Sequence, residues 1–173
     1  MLQSRGNGNP HLLLNFITPH QKWGIHSTYT DNLIMLTLSR GGPIVWLSEV
    51  DAAKGGIADN DWIEAFNVNG ALVARAVVSQ RVPEGMTMMY HAQEKIINMP
   101  GSEITGARGG IHNSVTRTVI KPTHMIGGYA QLSYGLNYYG TVGSNRDEFV
   151  IVRKMSKIDW LESPLRDSEV SKT

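Results

Sequence analysis

A mainly β chain with short helices, closed into a barrel, is the fold class this sequence predicts, and three observations predict it. Asn69-Gly70 separates two apolar runs, the strongest short hairpin signal, because both central residues of a type I′ turn need positive φ. The run after it, Leu72, Val73, Ala74, Ala76, Val77 and Val78 around a single Arg75, is apolar on both faces, as strands of a closed, covered barrel are. Eighteen glycines and seven prolines in 173 residues imply many turns and structured loops, which excludes a helical bundle.

The elements follow in order. Leu12 to Thr18 is a short strand and Pro19 to Tyr29 a polar loop. Asp31 is placed to cap a helical turn carrying Leu33, Ile34, Met35 and Leu36. Pro43 to Leu47 is the next strand. Ser48-Glu49-Val50-Asp51 has the form of a capping box that starts a two-turn helix ending at Gly55-Gly56. An acidic turn at Ala58 to Asp61 feeds the first hairpin strand, the second runs from Ala71 to Gln80, and Pro83-Glu84-Gly85 turns into a third at Met86 to His91. From Ala92 to Gly140 the chain is punctuated by glycine, and only Thr123 to Leu132, with Pro122 before it, reads as helix. Phe149 to Met155 is the last strand. A loop excursion as long as 92–140 inside a compact domain is usually functional.

These spans divide the chain into residues 1–11, a linker or tail cut from something longer; one domain over 12–156; and a polar, disordered tail over 157–173. A formal net charge of +1 with 18% charged residues gives no one-signed field to hold nucleic acid. No apolar run approaches the length of a membrane span. The absence of cysteine removes disulfides, thiolate metal sites and cysteine nucleophiles, and is compatible with a reducing compartment.

Histidine carries the chemistry that is left. His20 and His26 share Thr18-Pro19-His20-Gln21-Lys22-Trp23-Gly24-Ile25-His26-Ser27, a loop rich in hydrogen-bond donors; His91 ends a strand; His112 follows two glycines in Gly109-Gly110-Ile111-His112-Asn113-Ser114, where the backbone can approach a ligand closely. His11 and His124 have no such company. Neither His-x-x-x-His nor a cysteine pair is present to mark a zinc site, and no nucleophile elbow, Walker loop or dinucleotide glycine signature occurs. No catalytic and no metal-ligating residue is therefore assigned to this chain. Trp46, Trp62, Phe66 and Phe149 read as core, whereas Trp23, Tyr138 and Tyr139, in glycine-flanked loops, could stack on a flat heterocycle. Arg75, Arg81, Arg108, Arg117 and Arg146 are dispersed, as on a solvated surface, and Asp59 and Asp61 read as turn formers. Met88, Met89, Tyr138 and Tyr139 are candidates for exposed apolar surface.

The chain resembles the molybdopterin-dinucleotide-binding domain at the carboxyl end of the dimethyl-sulfoxide-reductase family, over about Leu12 to Met155. His26-Ser27, Asp51-Ala52 and Gly56-Ile57-Ala58-Asp59-Asn60-Asp61 match its elements, and Asn113-Ser114-Val115-Thr116 stands where an Asn-x-Leu-Thr element is usual, valine replacing leucine. Within that family, Thr18 to Ser27, Met88 to Glu94, Arg108 to Ser114 and Gly140 to Phe149 resemble segments of the catalytic α subunits of membrane-bound respiratory nitrate reductases.

The resemblance implies a double-psi β-barrel that closes over a molybdenum bis(molybdopterin guanine dinucleotide) in an enzyme reducing nitrate to nitrite. It implies that the [4Fe-4S] cluster and the protein ligand to molybdenum lie in earlier domains. The parent would join an iron–sulfur β subunit and a haem-containing membrane γ subunit at the cytoplasmic face of the cell membrane, this chain itself neither entering the membrane nor binding nucleic acid. By the same resemblance His20 and His26 would touch one pterin and His91 and His112 the other. Thr18, Trp23, Gly24, Ile25, Ser27, Ile111, Asn113 and, more weakly matched, Asn145 would complete the contacts. A stand-alone double-psi adaptor, or the same domain in another molybdenum or tungsten oxidoreductase such as a formate dehydrogenase, shares the scaffold.

Overall fold

The computed structural model describes residues 10–21, 26, 28–29, 32–91, 93, 96–97, 110–116 and 148–160. Six strands, β1 (Leu12–Ile17), β2 (Ile44–Leu47), β3 (Trp62–Phe66), β4 (Ala71–Val78), β5 (Met86–Met89) and β6 (Glu148–Lys154), close into a barrel in the order β1-β5-β2-β4-β3-β6. Helix α1 (Leu33–Leu38) precedes β2 and helix α2 (Glu49–Lys54) follows it. The parallel pair β1–β5 has its counterpart in the parallel pair β4–β2, and the antiparallel pair β1–β6 in β4–β3. The antiparallel pairs β2–β5 and β3–β6 map onto themselves. Strands β1–β3 and β4–β6 are thus related by a pseudo-twofold axis through two interlocked halves, which is the double-psi barrel topology.

The barrel interior follows from period-two alternation. Leu14 and Phe16, Val45 and Leu47, Ile63 and Ala65, Leu72, Ala74 and Ala76, Met89, and Val150 and Val152 point inward and form one buried cluster. Alanines in β3 and β4 leave room for the larger residues opposite, so the lumen is filled rather than open. Outside the wall of β3 and β4, Trp62 and Val73 pack with Ile97, which is why β4 carries almost no exposed residue. The buried pair Glu64 and Arg153, directly opposite on β3 and β6, is joined by two guanidinium hydrogen bonds of 2.8 and 2.6 Å.

Local structure corrects several expectations. The hairpin loop Asn67–Gly70 is not a type I′ turn, since neither Asn69 nor Gly70 has positive φ. Asn67 organises it instead: its side-chain oxygen accepts the Asn69 and Gly70 N–H groups, and its backbone N–H donates to the Gly70 carbonyl. Gly70 is required for another reason: a Cβ there would lie 2.2 Å from the Ser114 carbonyl oxygen. Helix α1 is capped by Asn32, whose Oδ1 accepts from Ile34 and Met35; Asp31 lies outside the described residues. At α2 the Ser48 hydroxyl accepts the Asp51 N–H as a cap should, but the Asp51 carboxylate does not reach back to the Ser48 backbone. It accepts from the Ser48 hydroxyl at 2.6 Å and from the Gly85 N–H at 2.8 Å, tying α2 to the β4–β5 turn.

Strand limits shift for similar local reasons. The second strand starts at Ile44 because Pro43 has no N–H, although its carbonyl accepts from Arg75. Tyr90 and His91 leave the ladder after Met89. Among the residues read as core, Trp62 is buried, Trp46 and Phe66 are half-buried, and Phe149 points outward with 57% exposure. Met89, read as exposed, is fully buried in the lumen. Arg75, read as a solvated side chain, is half-buried with its guanidinium 4.6 Å from the Trp62 ring. Asp59 and Asp61 are turn formers as expected. Asp59 accepts the Val78 N–H and pairs with Arg40, while Asp61 accepts the Ala58 N–H and pairs with Lys154. The helix expected at Thr123–Leu132, the tail from 161 on and residues 138–139 lie outside the described residues.

Candidate cofactor site

Strand direction decides where function can gather. Strands β1, β3 and β5 run one way and β2, β4 and β6 the other. The connections β1–β2, β3–β4 and β5–β6 therefore emerge at one end of the barrel, and the β2–β3 and β4–β5 links, with α2 and the Asp59–Asp61 turn, at the other. All four histidines singled out from the sequence belong to connections at the first end.

Parallel pairing of β1 with β5, in register from Asn15↔Met86 to Ile17↔Met88, brings their outgoing chains side by side. The contact continues past the ladder, where the His91 N–H donates to the Pro19 carbonyl at 3.2 Å. Three residues beyond β1 and two beyond β5, the His20 and His91 rings meet with centroids 4.4 Å apart. His26 returns to the same place with its ring 5.4 Å from His20, on a backbone with φ of 51°. His112 arrives from the other side of the β5–β6 connection and stacks on His91 at 4.8 Å, the planes 18° apart.

The position of His112 is set by the short β3–β4 loop. His112–Val115 is a single 3₁₀ turn. The Asn67 side chain donates to the Val115 carbonyl at 2.6 Å and to the Phe149 carbonyl at 3.1 Å, and Gly110, with φ of 97°, donates its N–H to the Ala71 carbonyl. The turn rests directly on Gly70, so the loop that the sequence offered only as a hairpin is the seat of His112. Asn67, Gly70 and Gln93, whose Oε1 accepts the Ile44 N–H at 3.0 Å, were missed as supports. Asn67-x-Asn69-Gly70, with two Asn side chains before a glycine, is the signal that could have found the first two.

Of the other expected contacts, Thr18 is fully buried at the end of β1, Ile111 is partly exposed beside His112, and Asn113 is exposed while its carbonyl accepts from the Thr116 hydroxyl. Trp23, Gly24, Ile25, Ser27 and Asn145 lie outside the described residues. The cluster is graded: His91 and His112 are each only 8% exposed, whereas His20 and His26 face outward. His20 lies nearer to His91 than to His26, so the four rings form one contiguous cluster. The shifted carboxylates sit at the opposite end. Arg40 holds Asp59 below the usual carboxylate range; burial pushes Asp61 up, but Lys154 and the Ala58 N–H outweigh it.

Each imidazole offers one N–H donor and one acceptor nitrogen in its neutral form, together with a flat face for stacking. Four of them at the mouth of a barrel suit a planar heterocycle bearing donors and acceptors on its edge. Among the described residues no group of three or more histidine or carboxylate side chains is placed to hold a metal ion. The fold and site thus define a six-stranded barrel domain whose mouth gathers four imidazoles, a donor and acceptor set that suits a flat organic ring. Residues 14–133 match the family described as "Molydopterin dinucleotide binding domain", and the chain belongs to that family. It is 75% identical to the respiratory nitrate reductase 1 alpha chain of Escherichia coli over 167 residues, covering 96% of this chain and 13% of that protein. It is 60% identical to the nitrate reductase alpha chain of Bacillus subtilis over 151 residues, or 87% and 12% of the two chains. Identity to the perchlorate reductase subunit alpha of Dechloromonas aromatica is 37% over 139 residues, or 80% and 14%. The chain spans about an eighth of the length of these relatives.

Proposed function

We propose that this chain is the domain that closes over a molybdenum bis(molybdopterin guanine dinucleotide) in a respiratory nitrate reductase, and that by itself it turns nothing over. The observation that carries this reading is the four-histidine cluster assembled from two connections at one barrel end. When bound, the molybdenum cofactor supplies the two-electron oxygen-atom chemistry that reduces nitrate to nitrite. The chain's own residues bind and orient. His20 and His26, outward-facing, reach the edge of one pterin, and His91 and His112, packed against the barrel, reach the other. Thr18, Trp23, Gly24, Ile25, Ser27, Ile111, Asn113 and Asn145 complete the contacts. A ring N–H directed at a pterin nitrogen draws electron density from it, so the cluster tunes potential as well as holding the ring. The [4Fe-4S] cluster and the molybdenum ligand belong to other parts of the longer polypeptide, which joins β and γ subunits at the cytoplasmic face of the membrane.

The test uses the full-length polypeptide. His20→Ala and His112→Ala are each expected to lower molybdenum and guanine-nucleotide content or shift the molybdenum midpoint potential; unchanged content, potential and rate in both would end the assignment. A second reading rests on the perchlorate reductase relative, which shows that a domain of this kind also occurs in a protein named for another oxyanion. Turnover of perchlorate but not nitrate by the full-length enzyme would favour it.

A further inference from the structure

Asn69-Gly70 is a motif whose usual turn role the fold does not use, since neither residue has positive φ. The dipeptide has a second property. Glycine has no Cβ to obstruct its nitrogen, so the main-chain nitrogen of Gly70 can reach the Asn69 carboxamide carbon more freely than that of any bulkier residue. Asn69 and its neighbour Val68 are exposed, which gives water access to the carboxamide. In the folded chain both reacting groups are tied. The Gly70 N–H donates to Asn67 Oδ1 at 3.3 Å, and Asn69 Nδ2 donates at 3.3 Å to the carbonyl of Val115, the last residue of the turn that carries His112. Both bonds are longer than ordinary N–H···O bonds and hold weakly.

We propose that Asn69 is a site of spontaneous deamidation, gated by the seating of the His112 turn, and that the products of the reaction unseat that turn. When the turn lifts, the Gly70 nitrogen gives its proton to water and attacks Asn69 Cγ. The Cγ–Nδ2 bond breaks and ammonia leaves, closing a cyclic imide. Water then adds to either imide carbonyl: opening at the former side chain leaves an aspartate at position 69, and opening at the main chain leaves an isoaspartate, whose backbone is longer by one methylene. Nothing is oxidised or reduced. Either product loses the Nδ2 donor to the Val115 carbonyl and gains a negative charge beside it. The longer backbone of the isoaspartate cannot be taken up towards the turn, because even a Cβ on Gly70 would lie 2.2 Å from the Ser114 carbonyl oxygen.

The experiment incubates the full-length polypeptide at mildly alkaline pH and follows Asn69 by peptide mass spectrometry, with an isoaspartyl methyltransferase to label the rearranged product. Conversion is expected to outrun that at Asn15, Asn60 and Asn113, whose following residues carry side chains, and to lag behind that in a free synthetic peptide of residues 65–74. Asn67→Asp keeps the acceptor for the Gly70 N–H but removes the donor to the Val115 and Phe149 carbonyls. It is expected to speed conversion about tenfold, the equivalent of about 1.4 kcal/mol of lost hold on the turn. Thr116→Val removes the hydroxyl bond to the Asn113 carbonyl; it should speed conversion severalfold and serves if N67D does not fold. Converted protein is expected to exchange the Ser114 and Thr116 amide hydrogens, which close the turn, faster than unconverted protein. Asn69→Gln, whose longer side chain closes the ring poorly, should show neither change. No conversion at Asn69, conversion as fast as in the free peptide, no acceleration in the folded variants, or unchanged exchange after conversion each overturns the proposal. Neither the reaction nor these readouts involve the proposed cofactor.

Discussion

Gly70→Ala is the substitution that most directly connects the scaffold to the site. The new methyl group would lie 2.2 Å from the Ser114 carbonyl oxygen and 3.1 Å from its carbon, both backbone atoms, so no side-chain rotation relieves the clash. Since contacts under 3.0 Å are essentially never seen, the turn carrying His112 must retreat by about 0.8 Å or more, against the Asn67 hydrogen bonds that hold it down. Overpacking of this kind costs about 1–3 kcal/mol, or roughly 3–9 °C in melting temperature for a chain of this size. Displacing a site residue by nearly an ångström costs up to about a hundredfold in rate when geometry matters. Gly56→Ala is the control. Gly56 has φ of 63° with nothing within 4 Å of its Cβ position, so alanine there costs about 1–2 kcal/mol of backbone strain and moves no site residue. Urea unfolding of the 173-residue chain measures the stabilities, and molybdenum content with nitrate turnover of the full-length enzyme measures the site. Both variants should lose stability, and only Gly70→Ala should lose cofactor or activity. Wild-type stability and loading in Gly70→Ala would refute the role given to the β3–β4 loop.

Other outcomes follow from the same geometry. Asp51→Ala leaves the buried Ser48 hydroxyl and the partly buried Gly85 N–H without their acceptor, and should cost about 1–3 kcal/mol in chemical unfolding. Arg153→Met strands the buried Glu64 carboxylate opposite it and should cost about 3–5 kcal/mol, most of which the double variant E64Q/R153M recovers. Asp59 and Asp61 are held below the ordinary carboxylate value of about 3.9. Their contribution is complete above that value and is lost as the pH falls through their lower folded-state values, so stability should drop in the acid range below about pH 4. Because Asp59 is half-exposed, its share is under about 1 kcal/mol; the D59N/D61N variant should show a flatter acid limb, and an unchanged limb would contradict the pairing.

Much of the barrel was legible because period-two apolar alternation and capping residues are local signals. The strands at 12–17, 44–47, 62–66, 71–78, 86–89 and 148–154 and both helices stand near their expected places. The errors are instructive. Asn69-Gly70 reads as a positive-φ turn, yet the chain uses its glycine for a close approach by residues more than forty positions away, which no local signal encodes. Phe149 reads as core, yet it stands one residue out of phase with Val150 and Val152, and that parity turns it from the lumen to the outside. Arg75 left the surface because an aromatic neighbour on the adjacent strand offers its guanidinium a ring to stack on.

By itself the sequence determined the alternating strands, the donor-rich loops and the four histidines, since residue type and spacing suffice for those. Only the tertiary structure decided that they form one cluster. His20 and His91 are seventy-one positions apart, and they meet because parallel pairing of β1 with β5 sends both chains out of the same end of a closed barrel. His112 joins them because a glycine in the β3–β4 loop lets its turn sit against the barrel rim. Pairing register and strand direction are cooperative properties of the closed sheet, so they belong to the whole chain and to no segment of it.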